Sequence, residues 1–338
     1  MATYEVFDLD RMPWKTRDPF LFCVHHLDRY PAGNKDMTPN ASLIGRMIGQ
    51  DFAGKDGWNM YHGQRVAGFP PHPHRGFETV TVIREGFVDH SDSLGAAARF
   101  GAGDVQWMTA GGGIVHSEMF PLLDTQKGNV NDFFQIWINL PGRDKMVEPH
   151  FSMLWSEDIP RMEVRDDGGK ATQLVVSAGD FDGKRAPKPP PRSWAAKPEN
   201  HVRIMTITIE PDGTFQLPAA ASKTVARTLY FFSGESITLD GDAIAVKSGV
   251  DFGEPGAVRI KAGVERAELL LLEGEPIGEP VAHYGPFVMN TQSELKQAFM
   301  DYQRTQFGGW PWKSKEPVHE RKKGRFARHA DGRIEERA

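Results

Sequence analysis

Two separate stretches of this chain share one pattern of punctuation, and that pattern limits the fold more than any single residue does. In ETVTVIREGFVDHSDS, residues 78–93, β-branched residues alternate with others, break at Glu85-Gly86 and resume. Period-two runs interrupted by glycine read as two strands joined in a hairpin. Further on, TLYFFSGESITLDGDAIAVKSGVDFGEPGAVRI, residues 228–260, runs the same way, with Gly234 where Gly86 stands and a Gly253 to Gly256 turn where Gly103-Asp104 stands. This is a weak internal repeat, and it predicts two β units in tandem.

Composition agrees. The 35 glycines and 24 prolines mark many turns, and 338 residues suit two domains better than one. The segment DFFQIWINLPG, residues 132–142, reads as an apolar strand stopped by Pro141-Gly142, and no helical period appears before residue 150. Thr291-Gln-Ser-Glu294 is a capping box, and Leu295, Phe299, Tyr302 and Phe307 follow at helical spacing up to Gly308-Gly309. The expected organisation is an all-β chain: a unit over 1–145, a second over 146–290, a helix over 291–312 and a charged tail over 313–338. That tail holds nine Lys and Arg against five Asp and Glu, which reads as a solvated extension.

Several function classes are set aside at this level. A formal net charge of −5 disfavours general attraction to phosphate backbones, so no direct nucleic-acid binding is expected. The single cysteine, Cys23, forms no internal disulfide, no apolar run reaches membrane-spanning length, and the N-terminal stretch lacks the pattern of a signal peptide. The expectation is a cytoplasmic monomer without membrane contact.

Chemistry concentrates in two short pairs. In a strand, side chains two apart share a face, so His72 and His74 in HPHRGFETV point the same way, as do His116 and Glu118 in GIVHSEMF. On neighbouring strands, the two pairs put three imidazoles and a carboxylate around one point. Such ligands suit a borderline divalent ion such as iron, manganese, nickel, copper or zinc, and four of them leave two positions of an octahedral ion open. Glu78 competes for the carboxylate role, although a straight strand would place it about 13 Å beyond His74. A turn at Arg75-Gly76 would bring it back. Glu118 is the preferred ligand, and Glu78 the preferred outer group that orients an imidazole. His62 lies near enough to line a pocket mouth. His25, His26, His90, His150, His201, His283, His319 and His329 lack a partner at ligand spacing and read as structural or solvated. Of the neighbouring aromatics Phe77, Trp107, Phe133, Phe134 and Trp137, most belong to the core, and some are placed to line a pocket for a flat substrate; Gln106 and Gln135 are the polar candidates there.

The motifs HPHRGFETVT, EGFVDHSDS, GDVQWMTAGGGIVHSEM, KMVEP and LEGEPIGEPVAHYGPFVMN together resemble the pirin family, a branch of the cupin superfamily, over residues 15 to 305. The resemblance implies two tandem cupin barrels of jelly-roll type, with iron(II) in the first, held by positions that fall on His72, His74, His116 and Glu118. It implies no metal in the second barrel, in keeping with the absence there of a His-x-His. Two family roles follow: a quercetin 2,3-dioxygenase acting on a small aromatic flavonol with dioxygen, or a metal- and redox-dependent regulator that binds a transcription factor or metabolic enzyme. This chain departs from general cupins at Gly111, where proline is frequent, and lacks the Asn expected after His116. It departs from other pirins in a longer segment DPFLFCVHHLDRYPAGNKDM and in FGGWPWKSKEPVHERKK beyond the usual final helix, both placed to reshape a pocket entrance.

Overall fold

The computed structural model describes residues 4–254 and 256–337; Pro255, inside the expected Gly253 to Gly256 turn, lies outside the described residues. Strands dominate, and the one α-helix among the described residues is Gln292–Thr305, capped by Thr291 with Glu294 closing the predicted box. No helix is long and apolar enough to cross a membrane.

The chain forms two compact units that interleave in sequence. One takes the strands up to Val24, Ile136–Asn139 and Glu157–Gly278; the other takes His25–Gln135, Leu140–Ser156 and everything described from Glu279 on. The contiguous ranges 1–145 and 146–290 therefore differ from the observed grouping at both ends. The reasons are strand pairings: Tyr4–Asp8 pairs with Ser248–Phe252, and Arg325–Arg328 pairs with Ala97–Gly101. The "solvated tail" is corrected by the same observation, since Arg325, Phe326 and Ala327 are buried in a sheet.

Each unit is a jelly roll of two sheets around a shared core, not a single closed cylinder. In the first-named unit a seven-stranded sheet, running from Tyr4–Asp8 through the central Ala226–Ser233 and Ala267–Gly274 to Arg161–Arg165, is accompanied by a four-stranded one. Their inner faces supply one apolar cluster, including Leu229, Phe231, Leu269 and Leu271 from the larger sheet and Ile237, Leu239 and Ile260 from the smaller. In the other unit a six-stranded sheet runs Ile334–Arg337, Arg325–Arg328, Ala97–Gly101, Phe87–Asp92, Ile114–Met119, Gly68–His74. It accompanies a five-stranded sheet centred on Phe77–Glu85, with Val105–Thr109 and Asn129–Asn139 as neighbours.

Glycine punctuation is where the predicted hairpin changes meaning. Phe77–Glu85 and Phe87–Asp92 are consecutive but lie in different sheets, so Gly86 is a corner at which the chain crosses from one sheet to the other. Its φ is +87°, and a Cβ there would stand 2.4 Å from the Val130 carbonyl oxygen, so only glycine fits. Gly234 repeats the corner between Ala226–Ser233 and Ser236–Leu239. A sequence shows that a run is interrupted; whether it folds back on itself or changes sheet depends on partners far away in the chain.

Candidate metal centre

Within the six-stranded sheet, Ile114–Met119 sits between Gly68–His74 and Phe87–Asp92, and register brings the site together. His72 lies directly across from His116, and His74 across from Ile114, on one side. Directly opposed residues of antiparallel strands share a face. A register irregularity between Phe69 and His72 adjusts the strand just ahead of the histidines. On the other side His90 is opposite Glu118 and Asp92 opposite His116.

The predicted imidazoles do converge. One ring nitrogen each from His72, His74 and His116 lies within 4.8 Å of the others, an arrangement able to hold a metal ion. His72 Nδ1 is 2.8 Å from the Pro70 carbonyl oxygen, so it carries the proton and leaves Nε2 as the free electron pair. His116 is fully buried, and neither of its ring nitrogens has a hydrogen-bond partner among the described residues. Buried polar atoms are normally satisfied, and a buried His116 ring with no hydrogen-bond partner, one nitrogen of which converges with those of His72 and His74, fits a metal ligand. Burial and the mutual repulsion of the rings push the His74 and His116 pKa values well below the ordinary range; burial chiefly lowers that of His72, to about 4. All three are thus neutral, the form that ligates metal.

Glu118 lies two residues along from His116 on the same face, outside the trio that converges. Gln135 Nε2 donates to its Oε2 at 3.1 Å, and the Thr81 hydroxyl is 3.0 Å from its Oε1 and 2.6 Å from Gln135 Oε1. Burial raises its pKa, with the His90 charge and these two hydrogen bonds pulling the other way. Thr81 is paired across its strands with Gln106, which therefore shares this interior face. Gln106 is fully buried, and both its amide atoms lack partners among the described residues.

The remaining candidates separate by strand parity. Phe77 shares the face of Thr81, and its ring centroid is 5.0 Å from that of His74. Glu78 and Trp107 fall on the opposite face; Glu78 accepts from the Thr109 hydroxyl at 2.7 Å and is not in the converging group. The parity shared by His74 and Glu78 in linear count is lost because the two lie on strands of different sheets, joined through Gly76 with φ +85°. Phe133 and Phe134 stack on His26 and His25, at 4.5 and 4.7 Å, and Trp137 stacks on Phe22. His62 and His72 are both among the residues that line a cavity of about 900 Å³.

Sequence reasoning missed His90 and Asp92. Both are fully buried, His90 Nε2 is 3.2 Å from Asp92 Oδ2, and the His90 ring is 5.5 Å from that of His116. The signal was available: His90-Ser-Asp92 has the same one-residue gap as the two ligand pairs, with a carboxylate as second member.

Similarity to known proteins agrees with this geometry. The Pirin family model matches residues 15–138, and the Pirin C-terminal cupin domain model matches residues 204–308. Pirin-1 of Arabidopsis thaliana is 40% identical over 251 residues, 72% of this chain and 79% of that one. Human Pirin is 34% identical over 266 residues, 76% of this chain and 85% of its own length. Among solved structures, a quercetin 2,3-dioxygenase from Acinetobacter baumannii superposes with a TM-score of 0.67 at 26% identity, covering 86% of each chain.

Proposed function

Because the chain belongs to the pirin family, we propose that its His72 centre is that of an oxygenase that opens a flavonol-like aromatic ring with dioxygen. The observation that carries this reading is the orphaned, fully buried His116 imidazole, gathered with His72 and His74 beside a cavity of about 900 Å³. A purely structural ion would need no adjoining space of that size, whereas cavities of this order hold organic ligands. The solved quercetin 2,3-dioxygenase of similar fold supplies the substrate class.

In this reading His72, His74, His116 and Glu118 hold one divalent ion, iron(II) by preference, with manganese, nickel, copper and zinc as the alternatives the donor set accommodates. Bound there, the ion supplies a Lewis acid with open positions and, as iron, one-electron chemistry toward dioxygen. The chain's own residues do the rest. Glu118 is the carboxylate placed to take the proton of the substrate's hydroxyl, and Gln135 and Thr81 fix the direction of its oxygens. Gln106 offers an unengaged amide on the same face, to orient a carbonyl or hydroxyl of the substrate. Phe77 against His74 gives the interior an apolar flank.

The test is turnover. Iron-loaded protein is expected to bleach quercetin with matching dioxygen uptake and release of carbon monoxide, and His74→Ala is expected to do neither. Quercetin consumption that is absent, or equal in the two proteins, sinks the oxygenase reading.

A further inference from the structure

The segment that charge alone marks as a solvated tail lines the cavity beside the metal centre. Its lining includes Ser314, Lys315, Glu316 and Val318 from this segment, and Arg65, Val66 and His72 across from them. Both ends of the segment are tied to the strand that carries His90. Trp312 Nε1 donates to the Asp92 carbonyl at 2.8 Å, and the His319 amide donates to Asp89 Oδ2 at 2.7 Å. The second tie is reinforced from inside: Arg99, fully buried and paired with both Asp89 oxygens at 2.7 Å, donates to the carbonyls of His319, Glu320 and Lys323. From 313 to 318, the described side-chain bonds to the rest of the unit are those of Glu316. Its Oε1 accepts the Gln64 amide at 2.5 Å and its Oε2 the Arg65 and Val66 amides, each at 3.1 Å. Three successive N–H groups curled around one carboxylate make an anion nest. Gly63 permits the curl, since a Cβ there would meet the Val66 carbonyl oxygen at 1.9 Å.

We propose that residues 312–321 are a fixed wall of the cavity and that Glu316 is its fastening, which makes Glu316 the residue that sets how large a molecule reaches the imidazoles. The proposal rests on the metal-site reading above and adds to it the determinant of access. Its geometry is that of two anchors with one clasp between them, so loss of the clasp frees the span over the cavity and leaves the metal ligands and the core untouched.

The test measures access without turnover. Cobalt-loaded wild type, Glu316→Ala and Glu316→Gln are mixed with excess EDTA, whose approach to the ion the wall restricts, and loss of the cobalt absorption is timed. Glu316→Ala is expected to lose cobalt about fivefold faster, as the local opening equilibrium shifts when these hydrogen bonds go. Glu316→Gln, whose amide oxygen still accepts from one side while its NH2 faces a backbone donor on the other, is expected to lose cobalt at a rate between those of wild type and Glu316→Ala. Bound cobalt before chelation and melting temperature are expected to match in all three, which a general loosening of the unit would not allow. Amide exchange at Gln64, Arg65 and Val66 should quicken in Glu316→Ala. Equal EDTA rates across the set overturn the proposal, as does faster loss accompanied by a lowered melting temperature. If wild type fails to consume quercetin while the cobalt rates still separate, the oxygenase reading falls and the wall stands.

Discussion

The two jelly rolls both bury paired charges, such as Arg99 with Asp89 in one and Arg227 with Glu273 in the other, but differ in the buried polar side chains they leave open. In the unit without histidine pairs, the buried charges answer one another: Glu273 pairs with Arg227 and with Arg203, and Arg227 spends its remaining donors on the carbonyls of Gly256 and Pro218. Its unpartnered buried side-chain atoms include two hydroxyls, those of Thr172 and Ser177. In the unit with the pairs, both nitrogens of His116 and both amide atoms of Gln106 have no partner among the described residues; they stand on different sheets, and Thr81, the cross-strand partner of Gln106, reaches Glu118 on the strand of His116. Buried polarity that is satisfied internally specifies and holds a fold; buried polarity left open has a cost that only a ligand repays. That difference, more than the count of polar residues, separates the scaffold from the site.

The sharpest break in the comparison comes from a ligand. Outer partners of a bound metal typically account for 10–100-fold in affinity, so His116→Ala is expected to weaken cobalt binding by more than about 100-fold. Titration followed by the cobalt visible bands reads this directly. Retained binding would mean that the open nitrogens of His116 serve another purpose, and the contrast between the units would lose its functional meaning.

The other unit should respond in the opposite currency, stability without metal. Glu273→Ala leaves Arg227, fully buried, without its carboxylate, and breaking a buried pair in that way costs about 3–5 kcal/mol. Burial already depresses the Arg227 pKa against the pull of Glu273. Urea unfolding should show the loss, and the cobalt stoichiometry should not change. A variant of wild-type stability would show that the pair is incidental.

What was legible in the sequence follows from how local each signal is. Period-two alternation and paired spacing depend on the strand alone, so the β class, the His72 and His74 pair and the capping box at Thr291 were all readable. Register depends on which strand lies alongside. For that reason the corner at Gly86 looked like a hairpin, Glu78 seemed to share a face with His74, and His90-x-Asp92 went unrecognised beside His116. The charged segment misled for a related reason. Some of its charges are bound to backbone groups, as with Glu316 on three amides and Arg321 on the Leu122 carbonyl, and composition does not distinguish a charge bound for water from one bound for a carbonyl or an amide.

The smallest effect is also the most discriminating, because it has the opposite sign. Replacing a satisfied buried polar group destabilises a protein, whereas replacing an unsatisfied one by an apolar group of similar shape is neutral or favourable. Gln106 is fully buried with no partner among the described residues, so Gln106→Leu is expected to raise the metal-free protein's stability to urea by about 1 kcal/mol. The same change should raise KM for quercetin, since the amide that orients the substrate is gone, while cobalt binding stays at the wild-type level. Polar groups that weaken the empty protein and serve the occupied one are what a binding face requires. If Gln106→Leu instead destabilises the metal-free protein by a comparable amount, the amide is a structural element like Glu273, and the interior faces of the two units differ less than their hydrogen bonds suggest.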